Sequence, residues 1–161
     1  MRHGRVAQRG GEIEADMVIE AKREDVIRKI VNACAEFQKH SHYVEVDVNH
    51  SVKMYKSLID SGACALFGVL EKNEFVGGLG CIKSPDFHCG KMTATELFWF
   101  VKPEHRGRGI ELLDAFERWA EINKCSRLIM VYMEDSMPKV LARFYRMKGY
   151  TPLERHFVKE L

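Results

Sequence analysis

The chain has 161 residues, 46% apolar and 30% charged, enough for one substantial core under a wetted surface. Its formal net charge of +2 is too small to specify a nucleic-acid or membrane partner, and no apolar run approaches the roughly 20 residues that cross a bilayer. The five cysteines, Cys34, Cys64, Cys81, Cys89 and Cys125, are odd in number and lack CxxC spacing. That pattern argues against a disulfide framework or a metal site, and for reduced thiols in a cytoplasmic protein.

Residues 1–13 read as a flexible basic arm: Arg2, Arg5 and Arg9 precede the first acid, and Gly10-Gly11 follows. No apolar segment follows the first residues, so a secretory signal is not expected. Residues 14–161 read as a single domain. A short strand is expected over 16–21. A helix is expected over 23–40, where Val26, Ile27, Ile30, Val31, Cys34 and Phe37 recur at helical spacing. After a polar link, a second helix is expected over 51–60, with Val52, Tyr55, Leu58 and Ile59 on one face. Ser61-Gly62 ends it. Strands over 63–71 and 74–83 flank Lys72-Asn73, a hairpin signal. The run Val76-Gly77-Gly78-Leu79-Gly80 within the second strand suggests a bulge or a close backbone approach.

A loop over 85–91 precedes a long strand over 92–102, rich in aromatic and β-branched residues. Residues 103–109 form a turn. The helix over 110–122 should bury Ile110, Leu113, Phe116 and Ala120. A buried strand over 128–133, a helix over 136–148 closed by Gly149, and a last strand over 151–161 complete the chain. The order is β-α-α-β-β-β-α-β-α-β(-β). It predicts an α/β fold with a central twisted mixed sheet flanked by helices and closed by crossover connections.

The turn carries the strongest functional signal. A strand leads through Pro103-Glu104-His105-Arg106-Gly107-Arg108-Gly109-Ile110 into a helix. The first N–H groups of a helix lack internal partners, and the helix dipole adds positive charge there. Gly107 and Gly109 remove side chains that would block an anion, while Arg106 and Arg108 add charged donors. The expectation is a pyrophosphate cradle in which free amides from Gly107 to Ile110 converge on a diphosphate. Neither a G-K-[ST] loop nor a G-x-G-x-x-G fingerprint is present. An ordinary strand-to-helix turn with surface arginines is the competing reading.

At this point the sequence resembles the GNAT superfamily of N-acetyltransferases. Thr95-Glu96-Leu97-Phe98-Trp99-Phe100-Val101 resembles its fourth strand. Residues 103–110 resemble its coenzyme A motif, [RQ]-x-x-G-x-[GA]. Arg143-Phe144-Tyr145-Arg146-Met147-Lys148-Gly149-Tyr150 resembles its terminal LYEKxGF helix end. Within the superfamily, the tail over 150–159 is similar to small acetyltransferases of tailed-phage genomes. The resemblance implies acetyl-coenzyme A as co-substrate and a primary amine as acceptor, on a small molecule, peptide or protein lysine. A homodimer is common among such relatives. It also implies that Arg106, Gly107, Arg108, Gly109 and Ile110 hold the pyrophosphate, and that backbone groups of Trp99, Phe100 and Val101 line the pantetheine. This requires that strand to splay from its neighbour. There are two departures: Glu111 stands where the motif ends in Gly or Ala, and Pro138 stands where relatives often carry Asn.

Acetyl transfer to an amine needs a donor for the developing oxyanion, a base for the amine proton and an acid for the departing thiolate. Tyr145 is the candidate acid, with a packed core tyrosine as the alternative. Glu96 is the candidate base, directly or through water, since burial among apolar residues would raise its pKa toward neutrality. A carboxylate paired at the sheet rim is the alternative. His88, His105 and the group His40, His42 and His50 are other candidate bases, with solvated loop histidines as the alternative for His88 and His105. The resemblance places Glu45 and Asp47 at the acceptor side, where they could receive a cationic amine, and a plain solvated loop is the stronger reading there. Two readings compete with the enzyme. One is a catalytically silent binding module, favoured by Glu111 and Pro138. The other is an acetyltransferase that docks on nucleic acid through Arg2–Arg9, against which the small net charge argues.

Overall fold

The computed structural model describes residues 17–39 and 45–161. The expected arm at 1–13 and the histidines His40 and His42 lie outside the described residues. The chain falls into two compact units, one ending at Ile129 and the other spanning Met130–Leu161.

The first unit contains β1 (Met17–Glu20), α1 (Glu24–Gln38), α2 (Val48–Asp60), β2 (Cys64–Glu71), β3 (Glu74–Pro85) and β4 (Met92–Val101). A 3₁₀ helix, Pro103–Arg108, then runs directly into α3 (Gly109–Ile122), and β5 (Arg127–Ile129) ends the unit. The five strands form one mixed sheet in chain order. Its first four strands are antiparallel, and β5 is parallel to β4.

Local sequence explains several boundaries. Asp47 caps α2 by accepting the His50 N–H at 3.0 Å, which starts the helix three residues before the apolar spacing does. At the other end Gly62 has φ +74°, and Ala63 N–H reaches back to the Leu58 carbonyl at 3.0 Å. A residue with a Cβ takes that left-handed turn only at a cost. Lys72 and Asn73 both have positive φ, the twist a two-residue hairpin needs between β2 and β3.

Alternation along β3 assigns the two faces of the sheet. A Cβ at Gly78 or Gly80 would meet Ile30 of α1 or Tyr55 of α2, whereas one at Gly77 would approach Leu112 of α3. The pair α1 and α2 therefore covers one face, and α3 the other. On the first face Ile27, Ile30, Val31, Val52, Leu66, Leu70 and Phe75 form a buried cluster. The glycine-rich run serves both purposes expected of it. The register shifts by one residue across Val69/Leu70, and Gly68 and Gly78, paired across β2 and β3, leave a trough for Ile30 and the Phe75 and Phe100 rings.

Three details differ from expectation. In α3, Ile110 is 44% exposed and Leu112 is fully buried, because the inward face of the helix runs through Gly109, Leu112, Leu113, Phe116 and Ala120, and Ile110 lies off it. The strand expected over 128–133 is confined to Arg127–Ile129. The strand expected over 151–161 is not formed: residues 150–161 have no regular secondary structure, and 151–161 are exposed. Pro152 lacks a ladder donor and Glu154, Arg155 and His156 favour water, so no edge pairing offsets the cost of ordering this stretch.

The second unit is built on α4 (Pro138–Met147). Met137 takes a left-handed conformation before it, at φ +46°, and Pro138 fills the first helical position, where its missing N–H costs nothing. Gly149, at φ +89°, ends the helix. Among the described residues no helix is long and apolar enough to cross a membrane.

The close approaches predict a stability contrast. A Cβ at Gly68 would lie 2.6 Å from Phe75 and 2.7 Å from Ile30, whereas one at Gly107 meets nothing within 4 Å. Gly68→Ala is expected to lower unfolding free energy by about 1–3 kcal/mol in urea titration, and Gly107→Ala to stay within about 0.5 kcal/mol of the parent. Equal effects at the two positions would contradict the trough.

Candidate functional site

The candidate residues gather where β4 ends and α3 begins. The β3–β4 register shifts between Gly80 and Cys81, so that Gly80 pairs with Phe98 and Cys81 with Glu96. Leu97 is therefore an extra residue, a β-bulge, and it is exposed. The bulge resets the alternation of faces. Glu96 falls opposite Cys81, in phase with Trp99 opposite Leu79 and Val101 opposite Gly77, on the face that α3 covers. Without the bulge Glu96 would share a face with Phe98 and Phe100. Glu96 is 6% exposed, so the bulge sets a buried carboxyl in line with the strand end. On the opposite face the Phe37, Phe100, Phe98 and Tyr55 rings form a continuous row, with successive centroids 5.5, 6.1 and 5.9 Å apart.

The parallel ladder between β4 and β5 covers only Thr93–Thr95 against Arg127–Ile129. From Glu96 to Val101, β4 is laddered to β3 alone among the described residues. Trp99 and Val101 turn toward α3, where a Cβ at Gly109 would lie 3.1 Å from the Trp99 indole and 3.4 Å from Val101. Gly109 is thus the seat of the helix on the strand, not an opening toward solvent. Gly107, by contrast, has open space around it.

The turn itself departs from the expected cradle. Residues 103–108 are wound as a 3₁₀ helix, and the Gly109 N–H donates to the Arg106 carbonyl. One of the amides expected to be open is therefore taken by the preceding turn, a common way of tightening a helix end. The arginines also divide. Arg106 is exposed, with no ion pair among the described residues. Arg108 is clamped: its Nε and Nη2 donate to the two Glu111 carboxylate oxygens at 2.7 and 2.9 Å, and its Nη1 lies 3.5 Å from Glu71 Oε2. The same Glu71 oxygen lies 3.0 Å from His105 Nδ1. Hydrogen bonds from Arg108 hold the Glu111 carboxyl below the usual glutamate range.

The other candidates have simpler local roles. Tyr145, in the second unit, is 7% exposed. Its hydroxyl donates to the Val131 carbonyl at 2.7 Å, and its ring meets Phe144 and Tyr150. Asp47 is the α2 cap described above. Glu45, His50 and His88 are exposed, and the His88 N–H is bound by Asp86. His105 is held by Glu71, a pairing its sequence position did not reveal. Cys34, Cys64 and Cys81 are buried, and burial pushes the first two thiols up to about 12, so neither is a nucleophile at neutral pH. No group of three or more metal-ligating side chains occurs among the described residues.

The sequence model of the acetyltransferase (GNAT) family matches residues 25–150. No curated protein matches the chain. Solved structures do. An aminoglycoside acetyltransferase from an uncultured soil metagenomic sample, solved with trehalose, aligns over 90% of this chain and 95% of its own, with a TM-score of 0.70 and 16% identity. A ribosomal-protein-alanine N-acetyltransferase from Brucella melitensis biovar Abortus 2308 aligns over 91% and 99%, with a TM-score of 0.67 and 17% identity. An acetyltransferase from Trypanosoma brucei aligns over 90% and 100%, with a TM-score of 0.68 and 14% identity. At such identities these likenesses establish the fold.

The Arg108–Glu111 pair predicts a titration. A carboxyl whose pKa is depressed by folding adds stability above its unfolded pKa and loses it as pH falls through the folded value. Because the Glu111 side chain is nearly half exposed, that contribution is small. Carboxyl-detected NMR should place Glu111 below ordinary glutamates, and Arg108→Ala should move its midpoint up into the ordinary range. An unmoved midpoint would show that the pair is not formed in solution.

Proposed function

The chain belongs to the GNAT acetyltransferase family and is an acyltransferase, and from that premise we propose that it moves the acetyl group of acetyl-coenzyme A to a primary amine. The observation that carries this reading is the β4–α3 junction. An exposed Arg106, an unobstructed Gly107 and a helix N-terminus stand together at the residues that resemble the family's coenzyme motif. The helix end and Arg106 favour a dianionic diphosphate. The diphosphate would compete with the Arg106 carbonyl for the Gly109 N–H. The edge of β4 beyond Thr95, which β5 does not ladder, would receive the amide groups of the pantetheine arm as a strand would.

In the proposed reaction the amine nitrogen attacks the thioester carbonyl, forming the C–N bond, and the C–S bond breaks to release coenzyme A. Glu96 takes the amine proton, directly or through water, and Tyr145 gives a proton to the departing sulfur. The first step needs Glu96 as the carboxylate and the second needs Tyr145 as the neutral phenol, and each is a proton transfer by a positioned side chain. The acid role asks the Tyr145 hydroxyl to exchange its Val131 partner for the thiolate. That existing hydrogen bond favours a second reading, in which the chain binds coenzyme A but transfers nothing. Thiol release measured across an amine panel discriminates the two. The acceptor is proposed as an amine of small-molecule, peptide or protein class, and residues 14–161 as the working acetyltransferase.

Acetyl-coenzyme A at about 100 times its Kd should raise unfolding free energy by about 2.7 kcal/mol, and Arg106→Glu should lose that gain. Tyr145→Phe should lower kcat by roughly 10²-fold or more while leaving coenzyme affinity in place. No stabilisation of the parent chain by millimolar coenzyme would contradict the coenzyme reading, and an unchanged kcat in Tyr145→Phe would remove the acid.

A further inference from the structure

The family's coenzyme motif ends in a small residue, and this chain places Glu111 there, in the first turn of α3. The carboxylate does not point idly into water. It grips the Arg108 guanidinium through two parallel hydrogen bonds of 2.7 and 2.9 Å, the bidentate geometry with which an arginine would otherwise hold a phosphate. Glu71 approaches the same guanidinium from β2 at 3.5 Å. Two carboxylates thus bracket one cation, and the His105 ring lies against the second of them. The local charge that remains for an incoming anion belongs to Arg106, on the exposed side of the turn.

We propose that Glu111 is an internal stand-in for the coenzyme's diphosphate: it occupies the helix end and the Arg108 fork, and the ligand must displace it to bind fully. This rests on the coenzyme reading above and deepens it by naming the residue that sets the affinity of the site. Three consequences follow from the geometry. The carboxylate sits at the positive end of α3, where it stabilises the unliganded turn. Its charge opposes the diphosphate through space. Its hydrogen bonds withhold Arg108, so the site presents one arginine where its sequence carries two. Removing the charge while keeping the shape leaves Arg108 only its longer Glu71 contact at 3.5 Å, freeing the fork's Nε and Nη2, and lifts the repulsion together.

Isothermal titration of the full chain with acetyl-coenzyme A tests this directly. Glu111→Gln is expected to tighten binding about tenfold, and Glu111→Gly to do likewise. In an Arg108→Ala background most of that gain should vanish, because no guanidinium remains to be released. Acetyl-pantetheine, which lacks the diphosphate, should bind all these chains alike, a readout that a general change in stability would not produce. Equal affinity of parent and Glu111→Gln for acetyl-coenzyme A would overturn the inference while leaving the coenzyme reading intact, as would an equal gain with acetyl-pantetheine. If neither the parent nor the Glu111 variants bind acetyl-coenzyme A, the coenzyme reading and this inference fall together.

Discussion

A Cβ on Gly109 would lie 3.1 Å from the Trp99 indole, and the absence of that atom lets α3 begin directly against the end of β4. The positions of the turn residues follow from this contact. It brings the helix N-terminus to the strand edge, it sets Arg106 and Gly107 on the open side of the junction, and it turns Arg108 and Glu111 toward Glu71 at the end of β2. A helix that started farther from the strand would leave its dipole and its first amides without a strand edge to work beside. The buried Leu112, Leu113 and Phe116 then hold the helix to the sheet along its length.

The charges of the junction are organised around one guanidinium. Four charged or titratable side chains from three segments, Glu71, His105, Arg108 and Glu111, satisfy one another. The network decides which cation is available to a ligand. The bulge at Leu97 does for β4 what the clamp does for the turn. One inserted residue places the buried carboxyl of Glu96 in phase with Trp99 rather than with the Phe98–Phe100 row, so the strand presents different chemistry on its two faces.

Much of this could be read from the sequence where the signal is local. The Lys72-Asn73 hairpin, the Gly62 and Gly149 helix ends and the amphipathic stripe of α1 each follow from a few neighbouring residues, and the glycines of β3 announced a close approach. The Leu97 bulge gave no such sign, because residues 97–101 are apolar or aromatic without interruption and alternation cannot be counted in such a run. Ile110 is misleading for another reason: Ile110 and Leu112 are both apolar, so the spacing alone does not show which of them lies on the inward face that Gly109 sets. The Glu71 arm of the clamp on Arg108 joins residues 37 apart and has no local pattern, whereas the Glu111 arm spans three residues of one helical turn. The last strand failed for a different reason: a strand is a relation between two chains, and the apolar residues Leu153, Phe157 and Val158 found no edge to pair with.

The central claim is that a diphosphate settles at the start of α3, and backbone NMR during a titration with coenzyme A tests it most directly. The account predicts saturable shifts of the amide resonances of Gly107, Gly109, Ile110 and Glu111, largest at Gly109 as its hydrogen bond to the Arg106 carbonyl is exchanged, with the amides of β1 unmoved. Saturable shifts confined to other segments, or none at all at the junction, would contradict it.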